Sequence, residues 1–400
     1  MGPDPRLPNP AGSAGLAAAR QCPAGLFFVN DEEWRRQRRL VMAALDPAHV
    51  HAYFPSLQKV VQRLRGRWRQ AAAEGRAIDV QADLMRYTVD VVAGLAFGSD
   101  VNTLEGDDPI QTDLNRVLPA LGRRLAARLP YWRRIRTRAD RELEQSVVVI
   151  RSAIDGFIRA ARAQLARDPA RRLAPTNLLE AMLVAAEADA GISDADVAGN
   201  VLVMLVAGED TTANTITWLI HFLFDHPHAL GAARDEVRRV GAQDPSLSLD
   251  TIGRLVYLEA CLHETMRLKP VAPVQTAQAN RDVVVGDVAV PAGAIVVGLV
   301  RADATSARHF ADPQRFDPAR WLATDERTRA SPDRVSMPFG AGPRLCPGRY
   351  LALLEMKVAA AMLLDGFDLE RVGTRHGGPP EELFSFAMAP RELGMRLRLR

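Results

Sequence analysis

Cys346 stands in Phe339-Gly340-Ala341-Gly342-Pro343-Arg344-Leu345-Cys346-Pro347-Gly348, a Gly/Pro-rich turn that opens into an apolar run from Tyr350 to Leu364. A turn of this kind holds a thiol clear of the backbone, beside helix-terminal N–H groups that favour its anion. A thiolate is a soft, electron-rich metal ligand. Glu209, Asp210, Thr211 and Thr212 form a polar island in a long apolar run, Ala207-Gly208-Glu209-Asp210-Thr211-Thr212. Acids and alcohols inside a buried helix are costly unless they are paired or functional. The plain alternative is that the threonines bond back to carbonyls of the preceding turn and the acids meet arginines. Gly208 with a competing hydroxyl is also expected to kink or bulge the helix. Glu264 and Arg267, three apart, fall on one helix face, as do Trp34 and Arg38, four apart. An indole N–H and a guanidinium fork suit a pair of carboxylates.

Helices must position these groups. Periodicity near 3.6 predicts helices over Glu32–Ala44, Val50–Glu74, Ala77–Ala96, Arg138–Arg167, Leu178–Ala186, His228–Gly241 and Leu255–Leu268. Ser193, with Asp196 three positions on, is the expected N-cap of the helix that carries the polar island and ends near Asp225-His226-Pro227. From Arg281 the texture changes to short β-branched strands, with turns at Gly286-Asp287 and Pro291–Gly293. A Pro-rich meander from Asp312 to Trp321 precedes the cysteine loop. The sum is a mainly α fold with minor β, without repeats or an internal linker.

Bulk properties exclude several classes. Four hundred residues, 48% hydrophobic, bury a substantial core. The three cysteines, Cys22, Cys261 and Cys346, lie far apart and form no disulfide framework, which points to a reducing, cytoplasmic setting. Nearly all positive charge is arginine, the signature of a GC-rich, bacterial genome, yet net charge is only +3. The run Arg133-Arg134-Ile135-Arg136-Thr137-Arg138 lacks a nucleic-acid motif or interleaved aromatics, so nucleic acid is not the expected partner. The nearest approach to a membrane span, Val197 to Phe224, has Glu209 and Asp210 in its middle and reads as a buried helix; no membrane anchor is expected.

The loop resembles the heme-ligand loop of the cytochrome P-450 family, Phe-x-x-Gly-x-Arg-x-Cys-x-Gly, at Phe339, Gly342, Arg344, Cys346 and Gly348. The polar island is similar to the family's oxygen-binding motif, Ala/Gly-Gly-x-Asp/Glu-Thr-Thr/Ser, with Glu209 at its variable position. Glu264 and Arg267 match its Glu-x-x-Arg helix, Pro318-Ala319-Arg320-Trp321 its Pro-x-Arg-aromatic element, and Trp34/Arg38 its Trp-x-x-x-Arg helix. The motifs come in the family's order, and the resemblance covers Gly25 to Arg400. It implies a P-450 fold, a helical bundle plus small β-sheets, holding heme b (iron protoporphyrin IX). By that resemblance Cys346 is the iron ligand and Trp34, Arg38 and Arg344 donate to the heme propionates. Phe339 and Gly348 shape the ligand loop, and Asp210 and Thr211 relay protons. Glu264, Arg267 and Arg320 form a structural triad, with Arg315 as the alternative third member. Residues 1–24 read as a Pro/Gly/Ala-rich, poorly ordered lead and 25–400 as a single domain.

Two departures stand beside the match. Only 33 residues precede Trp34, where the family places roughly sixty more, so the first helix and outer strands are expected to be missing and a sheet edge opened. Ala277 and Ala304-Thr305 stand where members often carry propionate-binding groups, which leaves that role to Trp34, Arg38 and Arg344. The implied activity is a heme-thiolate monooxygenase inserting one atom of O2 into a hydrophobic small molecule of fatty acyl, terpenoid, steroid or aromatic type. Its pocket is expected from Ala24–Val29, Val203–Ala207, Val271–Thr276 and Phe384–Met388. With no flavin or nicotinamide motif, electrons are expected from an external ferredoxin- or flavodoxin-type donor docking on Arg35, Arg36, Arg39 and Arg349, unless those arginines form an ordinary solvated face. A peroxygenase or isomerase on the same fold, and a truncated remnant without catalysis, remain as alternatives.

Overall fold

The computed structural model describes residues 25–106, 135–189, 191–244, 247–322, 335–384 and 387–400, with isolated residues between 112 and 132. The expected N-terminal lead, Arg133-Arg134 and part of the Phe384–Met388 segment lie outside the described residues. The main helices are α1 (Asp31–Ala44), α2 (Pro47–Ala73), α3 (Val80–Phe97), α4 (Arg138–Arg167), α5 (Leu178–Glu187), α6 (Asp194–Asp225), α7 (Pro227–Gly241), α8 (Val256–Leu268) and α9 (Arg349–Gly366). The two-residue strand β1 (Ile78–Asp79) separates α2 from α3, and Asp79 caps α3 by accepting from the Ala82 N–H.

The strands form small antiparallel sheets. β9 (Gly394–Leu399) lies between β1 and β6 (Phe367–Gly373). β2 (Val274–Gln278) pairs with β5 (Ile295–Leu299), Val274 opposite Leu299. β3 (Val283–Val285) and β4 (Val288–Val290) form a hairpin that turns at Gly286-Asp287, and β7 (Glu382–Phe384) pairs with β8 (Met388–Pro390). The β2–β5 ladder leaves Val274, Ile295, Val297 and Leu299 exposed in an apolar row on one face.

A single continuous cluster of buried side chains runs through the helices to Leu397, with α6 at its centre. Ser193 and Asp196 form a capping box at the start of α6: the Ser193 hydroxyl accepts from the Asp196 N–H, and the Asp196 carboxylate accepts from the Ser193 N–H and hydroxyl. α6 is one unbroken helix of 32 residues, and Gly208 serves close approach: a Cβ there would lie 3.0 Å from Val92 Cγ2 on α3. Ser193→Ala should therefore lower stability by about 1 kcal/mol, read as a lower midpoint in chemical denaturation with an unchanged slope.

Candidate functional site

The cysteine loop is built from backbone hydrogen bonds and two glycines. The Cys346 N–H donates to the Phe339 carbonyl at 2.9 Å, Leu345 N–H to Gly342 and Gly340 N–H to Met337. Gly340 and Gly342 have φ of +77° and +67°, a left-handed backbone that side chains with a Cβ rarely adopt. Gly348 is the N-cap of α9. Its backbone N–H bonds the Cys346 sulfur. Burial nevertheless pushes the Cys346 thiol up, against the opposing pull of Gly348 N–H, Arg38 and Arg349. Desolvation outweighs the favourable N–H groups that the turn supplies, so the thiol of this loop is not anionic by its surroundings alone.

Arg344 and the α1 pair meet beside the loop. The Arg344 guanidinium lies over the Trp34 ring, 4.8 Å from its centroid, and its Nη2 donates to Asn30 Oδ1 and to the Val29 carbonyl. Its Nε is buried without a partner. Arg38 is half-buried, near enough to Cys346 for their charges to interact, and burial lowers the pKa of both guanidiniums. Neither arginine forms an ion pair among the described residues. Two partly desolvated cations beside a sulfur ligand, with a donor left over, fit an anionic cofactor with two carboxylates.

The polar island divides into two unlike halves. Asp210 is nearly buried and its Oδ1 accepts from Asn214 Nδ2 at 2.6 Å; the Ala387 N–H also bonds it. Gln81 on α3 donates to Asn214 Oδ1 at 2.8 Å, so the side chain one turn beyond Asp210 is itself locked. Burial pushes the Asp210 carboxyl up while Asn214 and Ala387 oppose that shift. The Thr211 hydroxyl, half-exposed, donates to the Ala207 carbonyl at 2.8 Å. Thr215 and Thr217 back-bond in the same way, the plain reading for threonines in a helix. Glu209 is fully buried with both oxygens unpartnered.

Glu264 and Arg267 are fully buried and join through two bonds of 2.8 Å. Glu264 also accepts from Arg320 Nε at 3.2 Å, from Trp321 Nε1 at 3.0 Å and from the Asp317 N–H at 2.9 Å. Arg267 donates to the carbonyls of Ala304, Pro313 and Arg315. Arg320 thus reaches the carboxylate, whereas Arg315 contributes only its carbonyl.

Sequence reasoning missed the residues that fix the open side of α6. Asn200 accepts from the Leu26 N–H at 2.8 Å and donates to Gln37 Oε1 and the Asp196 carbonyl. Gly25 packs directly on α6, since a Cβ there would lie 2.5 Å from the Gly199 carbonyl oxygen. Of the segments expected to line a pocket, Leu26–Val29 is held on α6 by this network, and Val271 and Met388 are joined by a backbone bond of 2.8 Å. Asn214 could have been found from its spacing of four after Asp210; Asn200, Gln37 and Gln81 carry no such signal.

The family model for cytochrome P450 matches residues 9–396. The chain belongs to the cytochrome P450 family. It is 30% identical over 353 residues to a self-sufficient cytochrome P450 monooxygenase of Phanerodontia chrysosporium, covering 86% of this chain and 32% of that protein. It is 29% identical over 369 residues to the human mitochondrial 25-hydroxyvitamin D-1 alpha hydroxylase, covering 88% of this chain and 71% of that one. The crystal structure of the cytochrome P450DA heme domain superposes with a TM-score of 0.84 at 25% identity, covering 99% of this chain and 84% of that one. The chain thus spans about a third of the fungal relative's length. Family and fold imply heme b as cofactor. No helix among the described residues is long and apolar enough to cross a membrane.

Removing one member of the buried pair strands the other. Arg267→Ala should cost about 3–5 kcal/mol and lower the yield of folded protein, while Arg320→Ala, which leaves Glu264 three other donors, should cost less. Denaturant unfolding of the two variants checks the order.

Proposed function

We propose that the chain is a heme-thiolate monooxygenase that inserts one atom of O2 into a hydrophobic small molecule and reduces the other to water. The observation that carries this reading is Arg38 beside Cys346 with Arg344 in the same loop, neither in an ion pair among the described residues, together with an acid and an alcohol on one turn of α6. Heme b, when bound, supplies the iron that activates O2. Cys346 would hold it through sulfur, and Trp34, Arg38 and Arg344 would hold its propionates. Phe339 and Gly348 fix the loop by the Phe339 carbonyl and the Gly348 N–H.

Asp210, held by Asn214 and the Ala387 N–H, would take up and pass on a proton at its carboxyl oxygen. Thr211 presents a hydroxyl that breaks its bond to Ala207 to donate toward the oxygen being reduced. The intact acid–alcohol pair favours O2 activation over a peroxygenase or isomerase, whose chemistry needs no such relay. Apolar residues near the site, Leu26, Val206 and Val271, suit a fatty acyl, terpenoid, steroid or aromatic substrate.

The 400 residues carry no flavin or nicotinamide motif, so electrons enter from outside them, from a ferredoxin- or flavodoxin-type donor. Of the arginines offered for its docking, Arg35 pairs with Glu32 and Arg39 with Asp189, which leaves Arg36 and Arg349 as the better contacts. The free thiols of Cys261 and Cys346 accord with a cytoplasmic setting.

The test supplies heme-loaded protein with electrons, isotopically heavy O2 and a panel of apolar substrates. One heavy oxygen atom should appear in the product. Thr211→Ala should lower product formed per electron consumed by about 10-fold or more, the scale of a lost general acid, with the excess appearing as peroxide. Unlabelled product, or unchanged coupling in Thr211→Ala, would remove the proposed reaction or Thr211 from it.

A further inference from the structure

The turn of α6 that carries Asp210 and Thr211 also carries an acid for which the fold makes no provision. Glu209 is fully buried and neither of its oxygens finds a donor among the described residues, although Asp210, the next residue, is held by Asn214 and the Ala387 N–H. Several charged side chains on the helices packed against α6 are committed elsewhere, and Glu355 on α9 is a second buried acid, with one carboxyl oxygen unpartnered and its carboxyl pushed well up by desolvation. On α3, Asp83 bonds Arg67 and Trp68, and Asp90 bonds Thr103. On α8, Glu264 bonds Arg267, and on α9, Lys357 bonds Glu259. The charged group that acts on Glu209 is Asp210. An ionised carboxylate without water, donors or a cation is far costlier to bury than the neutral acid, and a second negative charge one residue away adds to that cost.

We propose that Glu209 is the proton-retaining member of a Glu209–Asp210 carboxyl pair and a positioning residue for the relay. Kept neutral, it leaves Asp210 as the one group of the turn free to ionise; once ionised, it holds the proton on Asp210. The relay half of this inference rests on the role of Asp210 under the proposed function, whereas the protonation half stands on the burial alone.

Desolvation, with the Asp210 charge adding to it, pushes the Glu209 carboxyl up from its ordinary 4.5 to about 8. The folded protein therefore keeps a proton that the unfolded chain releases above about 4.5. The stability that Glu209 contributes is full below that pH, declines as pH rises toward about 8, and levels off beyond it.

Glu209→Gln keeps the shape and neutrality of the protonated acid and cannot ionise. In the infrared difference between heme-loaded wild-type protein and the variant, where the Glu355 contribution cancels, a protonated-carboxyl carbonyl stretch should appear at neutral pH and fade through mildly alkaline pH. The variant's thermal midpoint should match the wild type in mild acid and exceed it progressively toward alkaline pH. Coupled turnover should fall in alkali for the wild type, with that fall lost in the variant. If Glu209→Gln does not fold, Glu209→Met supplies the same comparison.

A wild type with no such band at neutral pH and a stability profile parallel to the variant's overturns the proposal. A band and stability difference with superimposable turnover profiles overturn the positioning role. Absence of turnover in the wild type, with both spectroscopic and stability differences present, refutes the proposed reaction and upholds the neutral acid.

Discussion

The fold around the site depends on one buried ion pair, Glu264 with Arg267. Both side chains are wholly removed from water, and an isolated charge there would be intolerable. The structure answers with donors for every carboxylate oxygen and acceptors for the guanidinium. Glu264 gathers Arg267, Arg320, Trp321 and the Asp317 N–H, while Arg267 gathers the carbonyls of Ala304, Pro313 and Arg315. A segment with little regular structure is thereby tied, bond by bond, to a helix of the core. The cysteine loop is held further along by its own backbone bonds and by two left-handed glycines. Rigidity in these irregular segments comes from satisfied polar groups rather than from secondary structure.

The second constraint is the continuity of α6. Its threonines bond back to the helix, and Gly208 is consumed in bringing α3 close. Neighbouring side chains hold the acid of the acid–alcohol pair. Gln81 sets Asn214, Asn214 sets Asp210, and Asn200 pins the Leu26 segment across the same helix. These contacts are the positioning groups that a relay needs, because proton transfer tolerates little error in distance.

Much of this was legible in the sequence because the signals are local. Period, the Ser193–Asp196 box, the Gly286-Asp287 turn and the defined residues of the cysteine loop each depend on neighbours in the chain. What was not legible depends on which faces meet. Spacing put Trp34 and Arg38 on one face of α1, but not Arg344 over the Trp34 ring. It put Glu209 inside a buried helix, but only the packed structure shows that no donor reaches it. Arg35 and Arg39 read as free charge until Glu32 and Asp189 are seen beside them. The close approach of Gly208 to Val92 was hidden for a related reason: it depends on the element opposite.

The central claim is that the fold gathers a sulfur ligand and two unpaired cations to hold heme b through Cys346. Its most direct test is the absorption spectrum of heme-loaded, dithionite-reduced protein under carbon monoxide, compared with Cys346→Ala. The account predicts a Soret band at the red-shifted position of a thiolate ligand in the wild type and its loss in the variant. A band at the unshifted position in the wild type, or a shifted band that survives the substitution, would contradict it.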